Sequence, residues 1–332
     1  MDFLVFILID PGWQVAMSRK ALKVFITVET VLYASFVILD IISVLPAARS
    51  IPVVSGTVIS VPYLKYVSVI LCACVAVITT AKRLSRGRIT DNTVLPAVLI
   101  TTGLIFTVFS DYFLLFRDDF LPGIISFCAV QTVYLVLITA EGARFWQSGS
   151  PGFVTDYHVP LKTDMDISPS SKNRIFNGTI RGVCRRSAVI LAVRLMICGS
   201  AFIIAGQTGA DSIMTAFVLF YGISFLGNIL HQIVNVSKEM KSGLIPAAQK
   251  EDVTWQDKFT EKAAFSNRGF LIGLILFVLC DINVLIYNIG NFLEIAGSGY
   301  QTVREISVVL IWLFYLPSQV MIVLSVKEDY CS

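Results

Sequence analysis

Residues 94–116 read VLPAVLITTGLIFTVFSDYFLLF, and this stretch decides the fold class. Asp111 is the one charged residue in it. A transmembrane helix needs about 20 consecutive, mostly apolar residues, and an isolated strand cannot satisfy its backbone hydrogen bonds in lipid. The stretch therefore predicts a membrane-spanning helix that carries a carboxylate into the bilayer.

The composition of the whole chain agrees with this interpretation. Of the 332 residues, 55% are hydrophobic and 15% are charged, whereas about 25% are charged in a typical soluble domain. A soluble core could not hide so much apolar surface, but a bilayer could. The formal net charge of +3 is small, and we expect no nucleic-acid partner.

Further apolar runs of spanning length predict an all-α integral membrane protein with eight transmembrane helices. The predicted spans are 22–45, 62–80, 94–116, 121–142, 186–206, 212–235, 268–291 and 305–326.

The distribution of Lys and Arg predicts the orientation of these spans. With eight spans, 21 of the 26 basic residues fall on one side and three on the other. Cytoplasmic loops carry the excess of Lys and Arg. We therefore expect both termini in the cytoplasm, together with two long loops at 143–185 and 236–267.

Two segments of the chain resemble each other. Residues 103–111 and 273–281 both run from Gly to Asp with the same spacing, and several Leu, Ile and Val positions match. The two segments lie four spans apart, so they cross the membrane in the same direction. This pattern favours two parallel four-helix repeats, although two apolar helices can also resemble each other by chance.

Acidic residues inside spans are costly and tend to be functional. Asp111 and Asp281 end the two similar segments and lie far from any interface, so we interpret them as functional. For Glu29 and Asp40 a hydrogen bond between helices is as good an explanation as a function.

Two basic residues also fall inside spans. Lys65 opens the second span and Arg194 lies within the fifth. Long basic side chains often extend their charged ends to the membrane surface, and we expect this for Arg194. For Lys65 the same explanation stands beside a contact with a lipid phosphate at the outer mouth of a cavity.

Polar residues in the fourth and eighth spans predict a shared cavity. Gln131 and Tyr134 lie on one helix face, and so do Tyr315 and Gln319. We expect the bundle to bring these four residues and the two aspartates to one polar space. The two His of the chain are far apart, so we predict no zinc site built on several His. We also expect no other metal and no cofactor.

Two sets of short motifs match a known family. Residues 109–116, FSDYFLLF, and 120–123, FLPG, with Phe127 and Tyr134 beyond them, resemble the first signature of the YhhN-type lysoplasmalogenase family. Residues 276–281, LFVLCD, followed by YLPSQ at 315–319, resemble the second signature of that family.

The chain departs from that family at two places. Lys65 resembles the start of the family's Lys-Pro-Leu segment, but Tyr66 and Val67 follow it here. Gln131 stands where the family usually has His, which puts in doubt any proton transfer that the His performs.

The resemblance implies an eight-span hydrolase that takes its lipid substrate from the bilayer. Characterised members cleave the vinyl ether bond of lysoplasmalogens to a fatty aldehyde and a glycerophospho-alcohol. Asp111 and Asp281 would then be the catalytic acid and base. The substrate contacts would come from Lys65, Gln131, Tyr134, Tyr315 and Gln319.

Two other classes of function remain open. Carboxylates in mid-membrane and parallel repeats also fit a transporter or channel for a small solute or ion. The departure at Gln131 permits a family member that binds lipid without catalysis.

Overall fold

The computed structural model describes residues 19–44, 52–85, 94–117, 119–148, 169–206, 212–244, 266–293 and 298–326. The regular structure in these ranges is helical. A short π-helical segment, Phe113–Arg117, continues the third helix. The α-helices are α1 Arg19–Val44, α2 Pro52–Ser85, α3 Val94–Tyr112, α4 Phe120–Ser148, α5 Pro169–Gly206, α6 Ser212–Leu244, α7 Asn267–Leu293 and α8 Ser298–Leu324.

Among the described residues, seven helices are long and apolar enough to cross a membrane: α1, α2, α3, α4, α6, α7 and α8. Large apolar side chains such as Leu230 on α6 and Ile203 on α5 are 65% and 69% exposed. Such surfaces suit contact with lipid, and the chain is a multi-pass membrane protein. Helix α5 covers the predicted fifth span but is not one of the seven, so the count of eight and the internal repeat remain predictions.

Several helices extend beyond the spans that hydropathy predicts. Helix α4 continues to Ser148, α5 begins at Pro169 and α6 continues to Leu244, so all three enter the predicted long loops. Hydropathy marks the apolar part of a helix, whereas the helix itself continues while its backbone hydrogen bonds can form. Proline suits the first helical turn because its fixed φ favours the helix and its missing N–H is not needed there. The predictions for residues 1–18 and for the rest of both loops lie outside the described residues.

The chain divides into two compact units, and the division falls within α4. The first unit comprises Met1–Phe127 and Lys262–Ser332. In it α8 contacts α1, α2, α3 and α7. The contact with α7 is close at Gly273, where an added Cβ would lie 2.8 Å from Ile322 Cγ1. Helix α8 is thus the element that positions side chains from several spans.

The second unit, Cys128–Glu261, contains most of α4 together with α5 and α6. Helix α6 is bound to α4 by the Asn235 amide, which donates to the Ile138 carbonyl at 3.0 Å. Arg194 on α5 donates from Nη1 to Asn228 Oδ1 at 2.8 Å and is 6% exposed. The expectation that Arg194 extends to the membrane surface is therefore wrong, because its guanidinium finds acceptors on α6.

Candidate functional site

Asp111 is buried at the end of α3 and is bound by a tyrosine of α8. The Tyr315 hydroxyl donates to Asp111 Oδ2 at 2.7 Å, and each side chain is 4% exposed. No basic side chain of the described residues forms an ion pair with Asp111. The carboxyl group is therefore enclosed with a neutral hydrogen-bond donor and without a counter-charge among the described residues.

Aromatic rings surround Tyr315. Phe277 of α7 meets the Tyr315 ring edge to face at a centroid distance of 5.6 Å, and Trp312 does so at 5.1 Å. Phe127 also packs against Phe277, at a centroid distance of 5.7 Å. Edge-to-face pairs of this kind fix ring orientation, so the phenol that holds Asp111 has little freedom to move.

The motif at the middle of α7 approaches the same carboxyl group. Cys280 is buried, and Asp111 and Asp281 are both close enough to its thiol to interact electrostatically. Asp281 is half-buried. Sequence analysis singled out both aspartates but not Cys280 or Phe277, since apolar and thiol side chains in an apolar helix carry no distinguishing signal.

An aromatic cluster near Asp111 is formed by α2, the last residue of α3 and the π-helical segment. Tyr66 pairs with Tyr112 and with Phe116 at centroid distances of 6.4 and 5.1 Å, and Tyr63 also contacts Phe116, at 5.0 Å. Tyr66 is also within electrostatic range of Asp111. It occupies the position where the family resemblance would place proline, so this departure adds a phenol near the carboxyl group.

Helix α8 also carries buried polar atoms without a partner. Gln319 is fully buried, and neither Oε1 nor Nε2 has a hydrogen bond to any residue that the structure describes. The Ser318 hydroxyl is in the same condition. Because Gln319 lies four residues after Tyr315, both are on one face of α8. A buried unsatisfied amide is costly, and a polar ligand would satisfy it.

Lys65 is buried in the first unit and is paired with an aspartate of α1. Its ammonium is 3.0 Å from Asp40 Oδ1 and 2.8 Å from Oδ2, and it stands 4.9 Å from the centre of the Trp312 ring. The residue is 5% exposed, and α2 begins thirteen positions earlier at Pro52. Lys65 lies near the start of the apolar span Val61–Ser85. Its position at the mouth of a cavity stays a prediction, and the structure adds that the Asp40 carboxylate of α1 pairs with its ammonium.

Glu29 likewise has partners on the neighbouring helix. Its carboxyl group accepts hydrogen bonds from the Ser68 hydroxyl and, at 3.5 Å, from the Cys72 thiol. Glu29 and Asp40 thus both make contacts between α1 and α2, the structural alternative that the sequence left open.

Gln131 and Tyr134 belong to the second unit. Both are fully buried, and Gln131 Oε1 accepts from Asn228 Nδ2 at 3.0 Å. Of the six residues predicted to share a cavity, the structure joins Asp111 with Tyr315 directly. The place of Gln131 and Tyr134 in such a cavity remains a prediction.

The described residues contain no cluster of three or more His, Cys, Asp or Glu that could hold a metal ion. Comparison of the chain with protein-family models, with curated proteins and with solved structures gives no match.

Proposed function

We propose that this protein is a membrane-embedded hydrolase that cleaves the vinyl ether bond of lysoplasmalogen-like lipids. The observation that carries the proposal is the buried Asp111 carboxyl group, which is bound by Tyr315 and has no basic partner among the residues described. Asp111 and Asp281 act as the acid and base.

The reaction needs a proton donor that stays neutral. One carboxylic acid protonates the alkene carbon of the vinyl ether, which leaves an oxocarbenium ion. The second, ionised carboxylate removes a proton from water as the water attacks that ion, as in glycosidases. The resulting hemiacetal gives its hydroxyl proton to the first carboxylate and receives the proton of the second carboxyl group on its ether oxygen as the carbon–oxygen bond breaks. The aldehyde and the glycerophospho-alcohol are released, and both carboxyl groups return to their starting states.

The surroundings of Asp111 favour this chemistry. Aromatic faces attract cations, and the rings of Phe277 and Trp312 lie beside Tyr315. They would stabilise an oxocarbenium ion and exclude bulk water. The amide of Gln319, which has no partner in the described structure, is suited to bind the polar part of a lipid or the attacking water. The motif resemblance to the YhhN-type family points to the same substrate.

The decisive experiment is an assay of the purified protein with a lysoplasmalogen. We expect stoichiometric release of fatty aldehyde and glycerophospho-alcohol. The matched substrate control is a lysophospholipid with a saturated alkyl ether, which has no alkene carbon to protonate and should remain intact. If the lipid binds but no aldehyde is released, the hydrolase proposal is wrong and the protein is a lipid-binding protein.

A second candidate function is proton- or ion-coupled transport of a small solute. The observation that favours it is a row of ionisable residues at the α1–α2 interface, where Glu29, Asp40 and Lys65 are all buried. Buried charges in membrane helices often mark ion pathways. Uptake driven by a proton gradient in liposomes, together with no aldehyde release, would favour transport over hydrolysis.

The proposed topology has both termini and both long loops in the cytoplasm. It rests on the uneven distribution of Lys and Arg. Single-cysteine variants at Ser170 and Ser332 test it. We expect labelling by a membrane-impermeant reagent only after the cells are opened, and labelling in intact cells would contradict the orientation.

A further inference from the structure

The second unit holds a buried arginine whose charge no carboxylate balances. Arg194 Nη1 donates to the Ser224 carbonyl at 3.1 Å and to Asn228 Oδ1 at 2.8 Å. Both acceptors are neutral, and Arg194 forms no ion pair with any described residue. A buried charge without an opposite charge is costly in a medium of low dielectric constant. The structure therefore lacks, among the described residues, an anion that would balance the charge of Arg194.

The guanidinium also has donors to spare. Only Nη1 is used in the two hydrogen bonds. The remainder of the group lies over Gly227 of α6, where an added Cβ would lie 2.7 Å from Nη2 and 3.1 Å from Nε. Glycine thus makes room for the guanidinium against α6. Nε and Nη2 form no hydrogen bond with the described residues, so both can donate to a further acceptor.

Two neighbouring side chains add unsatisfied polar atoms. Gln131 is fully buried, and its Nε2 has no hydrogen-bond partner within the ranges that the structure covers. The Ser224 hydroxyl is 1% exposed and equally without a partner. His231, one turn beyond Asn228 on α6, is within electrostatic range of Arg194. The cluster therefore contains several hydrogen-bond donors and no anion.

Asn228 explains how the cluster is held together. Its Oδ1 accepts from Arg194 and its Nδ2 donates to Gln131 Oε1 at 3.0 Å. The side-chain oxygens of Asn228 and Gln131 are thereby occupied, while Arg194 Nε, Arg194 Nη2 and Gln131 Nε2 donate to no described residue. An acceptor-rich anion is the ligand that such a set requires. The planar fork of arginine matches the oxygens of a phosphate group.

We propose that Arg194 binds a phosphate group inside the membrane through Nε and Nη2, beside the unsatisfied donors of Gln131 and Ser224, and that this phosphate belongs to an anionic lipid. Neighbours of Arg194 on α5 are apolar and exposed, with Leu195 at 53% and Met196 at 66%. Such a surface can hold acyl chains, which favours a lipid over free phosphate. The site belongs to the second unit and does not depend on the proposed hydrolysis.

Binding is measured on the purified full-length chain in neutral detergent, by thermal unfolding and by titration. The additives are phosphatidylglycerol, phosphatidylcholine, and sodium phosphate against sodium chloride at equal ionic strength. We expect phosphatidylglycerol alone to raise the Tm. Arg194→Gln should weaken its binding about ten- to hundredfold, since a hydrogen bond to a charged group is lost. Arg185→Gln, on the exposed face of the same helix, is the matched control and should bind as the wild type does.

A second variant keeps the proposal testable if Arg194→Gln does not fold. Gln131→Glu has almost the same shape and places a carboxylate in the cluster, so it should raise the Tm without added lipid and remove the effect of phosphatidylglycerol. An equal response of Arg194→Gln and Arg185→Gln, or an unchanged response of Gln131→Glu, would show that Arg194 only joins two helices. Stabilisation by free phosphate as strong as that by phosphatidylglycerol would overturn the lipid assignment.

Discussion

Two helix interfaces of the first unit each contain a buried aspartate, and the two aspartates have different partners. Between α1 and α2, Asp40 faces the ammonium of Lys65, and both of its oxygens are within 3.0 Å of it. Between α3 and α8, Asp111 meets only the Tyr315 hydroxyl, and the described residues offer it no cation. The first carboxylate is paired with a cation, whereas the second can exchange a proton without separating an ion pair.

This difference separates a structural role from a chemical one. A paired charge contributes to packing, and removal of one partner leaves the other buried and alone. An acid without a counter-charge contributes less to folding, but its protonation can change during a reaction. The contrast therefore predicts that substitutions at the two aspartates will have different consequences.

The largest expected effect is on catalysis at Asp111 and Asp281. Asparagine keeps the shape of the side chain but cannot transfer a proton, so Asp111→Asn and Asp281→Asn should each lower turnover about 10²–10⁴-fold. Aldehyde release by purified variants measures this effect. The Tm should stay close to that of the wild type. Near wild-type turnover in either variant would refute the paired-carboxylate mechanism.

Substitution of Asp40 should instead damage the fold. Asp40→Asn leaves the Lys65 ammonium buried without an anion, which we expect to cost about 3–5 kcal/mol of unfolding free energy. The double variant Asp40→Asn/Lys65→Met removes both charges and should recover most of the loss. Thermal unfolding of the two variants measures the difference. If the double variant is as unstable as the single one, the ion pair is not the reason for the loss.

The seam between α7 and α8 positions Tyr315 for its contact with Asp111. A Cβ at residue 273 would meet Ile322 Cγ1 at 2.8 Å and the Ser318 carbonyl oxygen at 3.2 Å. Gly273→Ala should therefore destabilise the protein by about 1–3 kcal/mol through overpacking. Gly199→Ala is the control, because nothing lies within 4 Å of the position of its Cβ. Equal melting temperatures for the two variants would show that α7 and α8 can move apart enough to hold the extra methyl group at little cost.

The smallest effect is expected from substitution of Tyr315, which donates a hydrogen bond to Asp111. Tyr315→Phe removes one hydrogen bond to Asp111, and we expect turnover to fall about five- to tenfold. Tyr33→Phe removes a comparable hydroxyl, which donates to the Leu313 carbonyl at 3.1 Å and touches no carboxylate. That control should retain full turnover. The same loss in both variants would mean that Tyr315 acts through packing alone.

Hydropathy was sufficient to locate most of the helices. The run 94–116 was recognisable because lipid selects a long apolar segment, and the structure forms α3 and the π-helical segment there. The helical period also placed Tyr315 and Gln319 on one face. Asp111 and Tyr315 were both candidates, although 204 positions separate them in the chain.

The partners of the buried charged residues could not be predicted from hydropathy or from the helical period. Lys65 and Asp40 are 25 positions apart, and Arg194 and Asn228 are 34 positions apart. A basic residue in an apolar run is compatible with extension to the membrane surface and with an internal partner. The choice depends on how the helices pack, which hydropathy does not describe.

The π-helical segment Phe113–Arg117 has a consequence for how this chain tolerates insertions and deletions. A π turn holds about one residue more than an α turn, so it is equivalent to an insertion that the helix has absorbed. Deletion of Leu115 would let the segment return to α-helical geometry, with Phe116 four residues after Asp111 and still on the same side of the helix. A single deletion within the regular part of α3 would instead rotate the residues beyond it by about 100°. The chain is therefore expected to tolerate the loss of one residue at the π turn better than the loss of one residue elsewhere in α3.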